Sequence, residues 1–113
     1  MSEALKELLD AILPTYQYQM PAGKAAAITY QPVYASDSAY ESGEAIEEHW
    51  SFRVTVFQKK QDPQTIQRIV KALRAAGWTI TDRAWMIDTE NKYYQHAIDI
   101  DKWEGIRNEN NRT

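Results

Sequence analysis

The stretch "HWSFRVTVFQKKQDPQTIQRIVKALRAAGW", residues 49–78, decides the fold class because it joins two segments with different periodicities. In its first ten residues, apolar side chains alternate with polar ones, as on a strand that has one buried face. We therefore predict a strand over residues 49–58 that directs every second side chain into the core. The core-facing set is Trp50, Phe52, Val54 and Val56.

The second part of the stretch has the signals of an amphipathic helix. Asp62 is suited to the N-cap and Pro63 to the first helical position, while Gly77 follows the last residue of the pattern. Between them, apolar residues recur at helical spacing, which predicts a helix with one face on the sheet. These residues are Ile66, Ile69, Val70 and Leu73.

The flanking segments extend this pattern to a whole domain with the element order α-β-β-β-α-β-β. We expect an α+β fold, an antiparallel β-sheet with two helices packed on one face. A single domain would span residues 1–105, and the polar residues 106–113 would form a flexible C-terminal tail. The other predicted elements are a leading helix that ends before Pro14 and strands near residues 15–20, 26–34, 78–88 and 93–103.

Two features predict irregular backbone before the central strand. Pro32 lacks the N–H that a sheet ladder needs, so its strand should lie at an edge or contain a bulge. The segment "ASDSAYESGEA", residues 35–45, is rich in small and polar residues, and we expect a mobile connection there.

Composition excludes several classes of function. There is no cysteine, so neither a disulfide framework nor a thiolate zinc site is available, which suits a reducing cytosol. Thirteen Lys and Arg against sixteen Asp and Glu give a net charge of -3 without a long basic run, which argues against sequence-specific binding of nucleic acid. We expect no membrane segment, because no apolar run approaches spanning length.

The stretch "YQHAIDIDK", residues 94–102, has the residue types of a metal site. On a strand, however, side chains an odd number of positions apart point to opposite faces. His96 is three residues from Asp99 and five from Asp101, so alternation separates the histidine from both carboxylates. We predict no metal site here and no cofactor.

The sequence also lacks support for catalysis. The other histidine, His49, has only Glu47 and Glu48 as obvious acidic neighbours, and there is no phosphate-binding glycine loop, nucleophile elbow or zinc-protease motif. We therefore predict that the protein is not an enzyme.

Four aromatic residues do not fit the apolar faces of their elements. Each is out of phase with its neighbours or lies at the end of an element, and large aromatics that a small domain leaves unburied are typical of protein interfaces. Peripheral core is the other interpretation of the same residues. They are Phe57, Trp85, Tyr93 and Trp103.

The chain as a whole resembles the small tail terminator or tail completion proteins of long-tailed bacteriophages and prophages. The resemblance runs from about Leu5 to Trp103. It consists of the "LKELLDAI" helix, the Pro-interrupted strand with tyrosines, the polar segment, a strand just before an Asp-led helix, and the closing "KYYQHAIDID" strand. No catalytic signature is among these features.

The resemblance implies a structural protein of the virion tail that is assembled in the bacterial cytoplasm. Subunits of such proteins close into a ring, commonly of six, on the end of the tail tube, and the ring offers a surface for attachment of the head. The partners would be further copies of the chain, the tail tube protein and a head-tail connector protein. Acidic side chains suit the lining of a DNA passage, and four glutamates are candidates for it. An equal interpretation is that they are solvated acids of a loop. They are Glu41, Glu44, Glu47 and Glu48.

A second function stays open from the sequence. A small bacterial ligand-binding or regulatory α+β domain without catalysis would have the same layout, and it would need an apolar pocket with a few polar groups. Tyr16, Tyr18 and Tyr30 are the candidates for the wall of such a pocket.

Overall fold

The computed structural model describes the backbone of residues 2–41 and 44–105 and the side chains of residues 2–33 and 49–103. It confirms the α+β fold and the predicted order of elements. The elements are α1 (Ser2–Asp10), β1 (Thr15–Gln17), β2 (Ala26–Glu41), β3 (Glu44–Gln58), α2 (Pro63–Ala75), β4 (Thr79–Asp88) and β5 (Tyr93–Gly105).

The described strands form one five-stranded sheet in the order β1-β2-β3-β5-β4. Neighbours are antiparallel except at one edge, where β1 lies parallel to β2 with Thr15 opposite Ile28. Tyr18, at φ 69°, ends β1 after three residues, and its N–H donates to the carbonyl of Tyr30 at 3.0 Å. The parallel pair is possible because residues 18–25 carry the chain back to the starting end of β1 before β2 begins.

The core lies between the two helices and one face of the sheet, as alternation predicts. The inward residues of β2, β3 and β5 pair in rows, such as Val54 opposite both Tyr30 and Ile98, so each row presents side chains on the same face. Both helices cover this face with their apolar stripes. The core residues are Leu5, Leu9, Ile28, Tyr30, Phe52, Val54, Val56, Ile66, Ile69, Val70, Leu73, Trp78, Ile98 and Ile100.

Helix α2 begins and ends as the sequence predicts. The Asp62 side chain accepts hydrogen bonds from the N–H groups of Gln64 and Thr65, which satisfies two donors of the first turn. At the other end Gly77 has φ 95°, and the N–H of Trp78 donates to the carbonyl of Leu73 at 3.0 Å. This is a Schellman ending, and it directs the buried Trp78 towards the start of β4.

The prediction of a mobile connection over residues 35–45 is wrong for the parts of it that the structure describes. Strand β2 continues to Glu41, β3 begins at Glu44, and the two pair throughout, for example at Tyr40 opposite Ala45. Backbone hydrogen bonds form an antiparallel ladder whatever the side chains are, so a polar segment can extend a pair of strands that begins in the core. The predicted irregularity at Pro32 is confirmed as a bulge between Pro32 and Tyr34.

Candidate functional site

Strand β4 is at the free edge of the sheet and is exposed along most of its length. Trp85 is 46% exposed, Met86 52% and Ile87 67%. Successive side chains of a strand point to opposite faces, so apolar surface lies on both sides of this edge. We call these three residues the β4 edge. An exposed apolar edge strand is a template for pairing with another chain.

A groove of about 550 Å³ runs beside the β4 edge on the side of the helices. It lies between β4 and the segment that precedes α2, and its wall is mostly apolar. Gln61 from that segment and the half-buried Tyr94 of β5 complete a wall that otherwise consists of the three residues of the β4 edge. The groove is open to solvent, so a side chain from a partner can enter it.

Beneath the β4 edge lies the buried His96, which is 1% exposed. It is opposite Trp85 in the register, and the two rings meet at 87° with centroids 4.3 Å apart. The Nε of Arg83, two residues before Trp85, donates a hydrogen bond of 2.9 Å to Nε2 of His96. A nitrogen that accepts this bond carries no proton, so the hydrogen-bond network assigns neutral His96 with its proton on Nδ1.

The environment of His96 disfavours its charged form. Burial lowers the pKa of His96 below its ordinary value of 6.5, and the adjacent Arg83 guanidinium lowers it further. Its Nδ1 is buried and has no hydrogen-bond partner among the described residues. Neutral His96 is therefore held by one hydrogen bond and by its contact with Trp85.

A second polar cluster lies on the other face of the sheet, where β3 and β5 pair. Nε2 of His49 is 3.1 Å from Oδ2 of Asp101, and the Ser51 hydroxyl donates to Oδ1 of the same carboxylate at 2.5 Å. Trp103 stacks on His49 at 8°, with centroids 4.3 Å apart. Asp101 is thus a carboxylate neighbour of His49 in the fold, in addition to its sequence neighbours Glu47 and Glu48, because the register places Ser51 opposite Asp101.

This cluster differs from a nucleophile activated by histidine. The carboxylate of Asp101 lies between the two other groups, and the Ser51 proton is directed to Asp101 rather than to the imidazole of His49. The arrangement links β3 to β5 across the open face of the sheet.

The predicted separation of His96 from the two aspartates is confirmed. His96 points into the core, whereas Asp99 accepts two hydrogen bonds from the Arg53 guanidinium on the other face, at 2.8 and 3.1 Å, and Asp101 belongs to the His49 cluster. Within the described residues no three acidic or histidine side chains are grouped as metal ligands are.

The four aromatic residues proposed for an interface have different environments. Trp85 and Trp103 are exposed and Phe57 is half-buried. Tyr93 is buried: its hydroxyl donates to the carbonyl of Lys24 at 2.6 Å, and its ring packs edge-on against Phe57. These contacts support a structural role for Tyr93. An interface role for the four residues stays a prediction.

Sequence reasoning missed two residues of the β4 edge, Met86 and Ile87. The signal was present in "AWMID", residues 84–88, because three consecutive large apolar side chains cannot all lie on one face of a strand. The proposed channel acids Glu41, Glu44, Glu47 and Glu48 have side chains outside the described part of the chain, as does the whole predicted tail 106–113. Both of these predictions stay untested.

Comparison of the sequence with profiles of known protein families gives no match, and comparison with curated proteins gives no significant match. Among the helices that the structure describes, none has the length and apolar character needed to cross a membrane.

Proposed function

We propose that the protein is a structural subunit of a phage or prophage virion, a tail terminator or tail completion protein that forms a ring at the end of the tail tube and joins tail to head. The sequence resemblance supplies the virion role, and the α+β order that it implies is the order of the elements here. The observation that carries the proposal is the β4 edge.

The β4 edge is unusual for a protein that remains a monomer. Edge strands of monomers are commonly protected by charged side chains, prolines or short length. Here Trp85, Met86 and Ile87 follow one another at the exposed edge of a ten-residue strand. Covering them with a neighbouring subunit would remove apolar surface from water on both faces of the strand, which favours association.

The opposite edge of the sheet offers a different surface for the same neighbour. Strand β1 pairs only with residues 28–30 of β2, so the rest of β2 has β3 as its only partner strand in the described sheet. Tyr18 and Val33 are exposed near this boundary. Contact between two different edges is heterologous, and repeated heterologous contacts form a closed ring or a helical filament. A ring on the tail tube is the closed form.

The test is the mass of the protein in solution, measured by light scattering across protein concentration, together with co-sedimentation with purified tail tubes. We expect the unaltered chain to form multi-subunit species that bind tubes. The double variant Met86→Lys, Ile87→Lys should be monomeric at the same concentrations, because two charges would be desolvated in the contact. Its unfolding midpoint should be unchanged, since both side chains are exposed.

The matched control adds the same charge to another exposed surface. Gln64→Lys, Gln67→Lys on the outer face of α2 should assemble like the unaltered chain. A chain that is monomeric at every concentration and ignores tail tubes would contradict the proposal. So would normal assembly of the β4 variant.

A ligand-binding role remains the second candidate because the groove beside the β4 edge has the volume and apolar wall of a small-molecule site. Tyr16, Tyr18 and Tyr30 do not line the described grooves, so this role would use Tyr94 and the β4 edge instead. A monomer that binds apolar small molecules, and loses them on Trp85→Ala, would favour this alternative.

A further inference from the structure

We propose that His96 and Arg83 form a latch that holds Trp85 against the sheet while His96 is neutral and releases it when His96 takes up a proton. The latch is a property of the single chain. Its effect on assembly depends on the proposed function, because Trp85 belongs to the β4 edge. The inference therefore adds regulation by pH to the proposed subunit contact.

The direction of the hydrogen bond between Arg83 and His96 requires a neutral imidazole. Arg83 can only donate, so its 2.9 Å bond to Nε2 of His96 requires the lone pair of that nitrogen. A proton on Nε2 would remove the lone pair and place two donors and two positive charges against each other. The bond cannot survive protonation in its present geometry.

Among the described residues, no acid near the imidazole compensates a positive charge on His96. Arg83 is the charged group that acts on His96, and it acts against the charged form. The nearest carboxylates in the register are Asp82 and Asp99, which are opposite one another, and Asp88, which is opposite Tyr93. Alternation places all three on the other face of the sheet. On its own face His96 has Tyr94 as its titratable neighbour along β5.

Among the described residues, the elements around His96 present apolar side chains on the core face. Its partner in β3 is Val56, and the α2 side of the core consists of aliphatic residues. A proton on His96 would thus add a buried positive charge that no nearby acid compensates. The Nδ1–H of the same ring has no hydrogen-bond partner among the described residues. The least costly response is movement of the edge strand, which is exposed from Arg83 to Ile87.

A charge on His96 also affects Trp85. Its indole is in contact with the imidazole and lies two residues after Arg83 on the same face of β4. Outward movement of Arg83 and of this part of β4 would take the indole away from His96 and change the groove that it lines. Protonation would therefore alter the same surface that the proposed neighbour covers.

The pH window follows from the direction of the pKa shift. Burial lowers the pKa of His96 in the folded chain, so the unfolded chain, with a pKa near 6.5, binds the proton more readily. The stability that neutral His96 contributes is complete above that value and is lost as the pH falls through the lower pKa of the folded state. Release of Trp85 should occur in this acidic range.

The first experiment measures tryptophan emission from pH 8 to pH 5 and subtracts the emission of Trp85→Phe, so that the difference reports Trp85 alone. We expect a reversible red shift with a midpoint below pH 6.5 in the unaltered chain. His96→Gln keeps an oxygen that can accept from Arg83 but does not titrate, so it should show no transition. His49→Gln, the matched control, should keep the transition.

A second variant tests the latch in case His96→Gln does not fold. Arg83 is exposed, and Arg83→Met removes the donor to Nε2 of His96. Without this bond Trp85 is no longer held, so its emission should already be red-shifted at pH 8 and should change little towards pH 5. A transition that persists in His96→Gln, a Trp85 emission in Arg83→Met that matches the unaltered chain at every pH, or no transition in the unaltered chain would overturn the latch.

The second experiment compares the assembled fraction at pH 7.5 and pH 5.5 by sedimentation. We expect at least a tenfold loss of assembly at pH 5.5 for the unaltered chain and little change for His96→Gln. A Trp85 transition without assembly at any pH would support the latch and contradict the proposed function. Equal assembly at both pH values without the transition would contradict the latch and leave the proposed function supported.

Discussion

Strands β3 and β4 flank the same strand, β5, yet they have opposite environments. In β3 the core-facing residues Phe52, Val54 and Val56 are at most 1% exposed. In β4 the residues in the corresponding rows on that face, Arg83 and Trp85, are exposed. In the row that contains His96, the buried Val56 lies on one side of the imidazole and the exposed Trp85 on the other. The side chain of His96 therefore lies at the boundary between core and exposed surface.

The difference comes from position in the sheet. Strand β3 is central and its inward side chains belong to the core, whereas β4 is at the edge and its register shifts between Ile80 and Asp82. Beyond that irregularity the strand has β5 on one side only. Apolar residues of β3 therefore stabilise the monomer, while those of β4 retain surface that only association can bury.

The largest expected effect contrasts one aromatic residue from each strand. Phe52→Ala should lower the free energy of unfolding by about 3–5 kcal/mol, because it leaves a cavity among Trp50, Trp78 and Tyr30. Trp85→Ala should lower it by about 1 kcal/mol or less, because the indole is half exposed. Urea unfolding of both variants measures this contrast.

For assembly, Trp85→Ala should have a larger effect than Phe52→Ala, when both variants are measured at concentrations where they are folded. Trp85→Ala should reduce the assembled fraction strongly despite its small effect on stability. Equal losses of stability in the two variants would mean that Trp85 is part of the core, and the contrast between β3 and β4 would fail.

An intermediate effect is expected where α2 turns into β4. Gly77 has φ 95°, a conformation that costs other residues about 1–2 kcal/mol, and Cε of Lys102 is 3.4 Å from the position that a Cβ would take. Gly77→Ala should lower stability by that amount in thermal or urea unfolding. Gly77→Asn should recover part of the loss, since asparagine tolerates the left-handed region. An alanine variant as stable as the unaltered chain would show that the turn can rearrange.

The smallest effect is expected on the outward face of β3. Arg53 contacts Asp99 through two hydrogen bonds, but its side chain is about half exposed. Arg53→Gln should lower stability by less than about 1 kcal/mol, and the difference should shrink in 1 M salt. Unfolding at low and high salt tests this. A loss as large as that of Phe52→Ala would mean that the outward row is as important as the core row.

Local patterns predicted the elements that local chemistry controls. The cap at Asp62 and the ending at Gly77 are interactions within a few residues, and both are present as predicted. Alternation also placed His96 and Asp99 on opposite faces, because the geometry of a strand leaves no other arrangement. The prediction of a sheet with two helices on one face likewise depends on the alternation of strand residues and on the helical spacing of apolar residues.

Patterns failed where the partner is distant in the chain. The contact between His49 and Asp101 joins residues 52 positions apart through the register of β3 and β5. The pairing of β2 with β3 beyond Ala35 continues the backbone ladder past the bulge, through small and polar residues. In both cases the neighbours of a residue in the sequence do not reveal which distant residue it pairs with.

The sequence by itself determined the order of the strands and helices, where α2 begins and ends, and which side chains of a strand share a face. These follow from spacing of 2 or 3.6 residues and from the chemistry of caps. Only the tertiary structure decided that β4 lies at the edge and that Trp85 and Ile87 remain exposed. The physical reason is that periodicity says which face a side chain is on, whereas burial depends on what the fold places over that face.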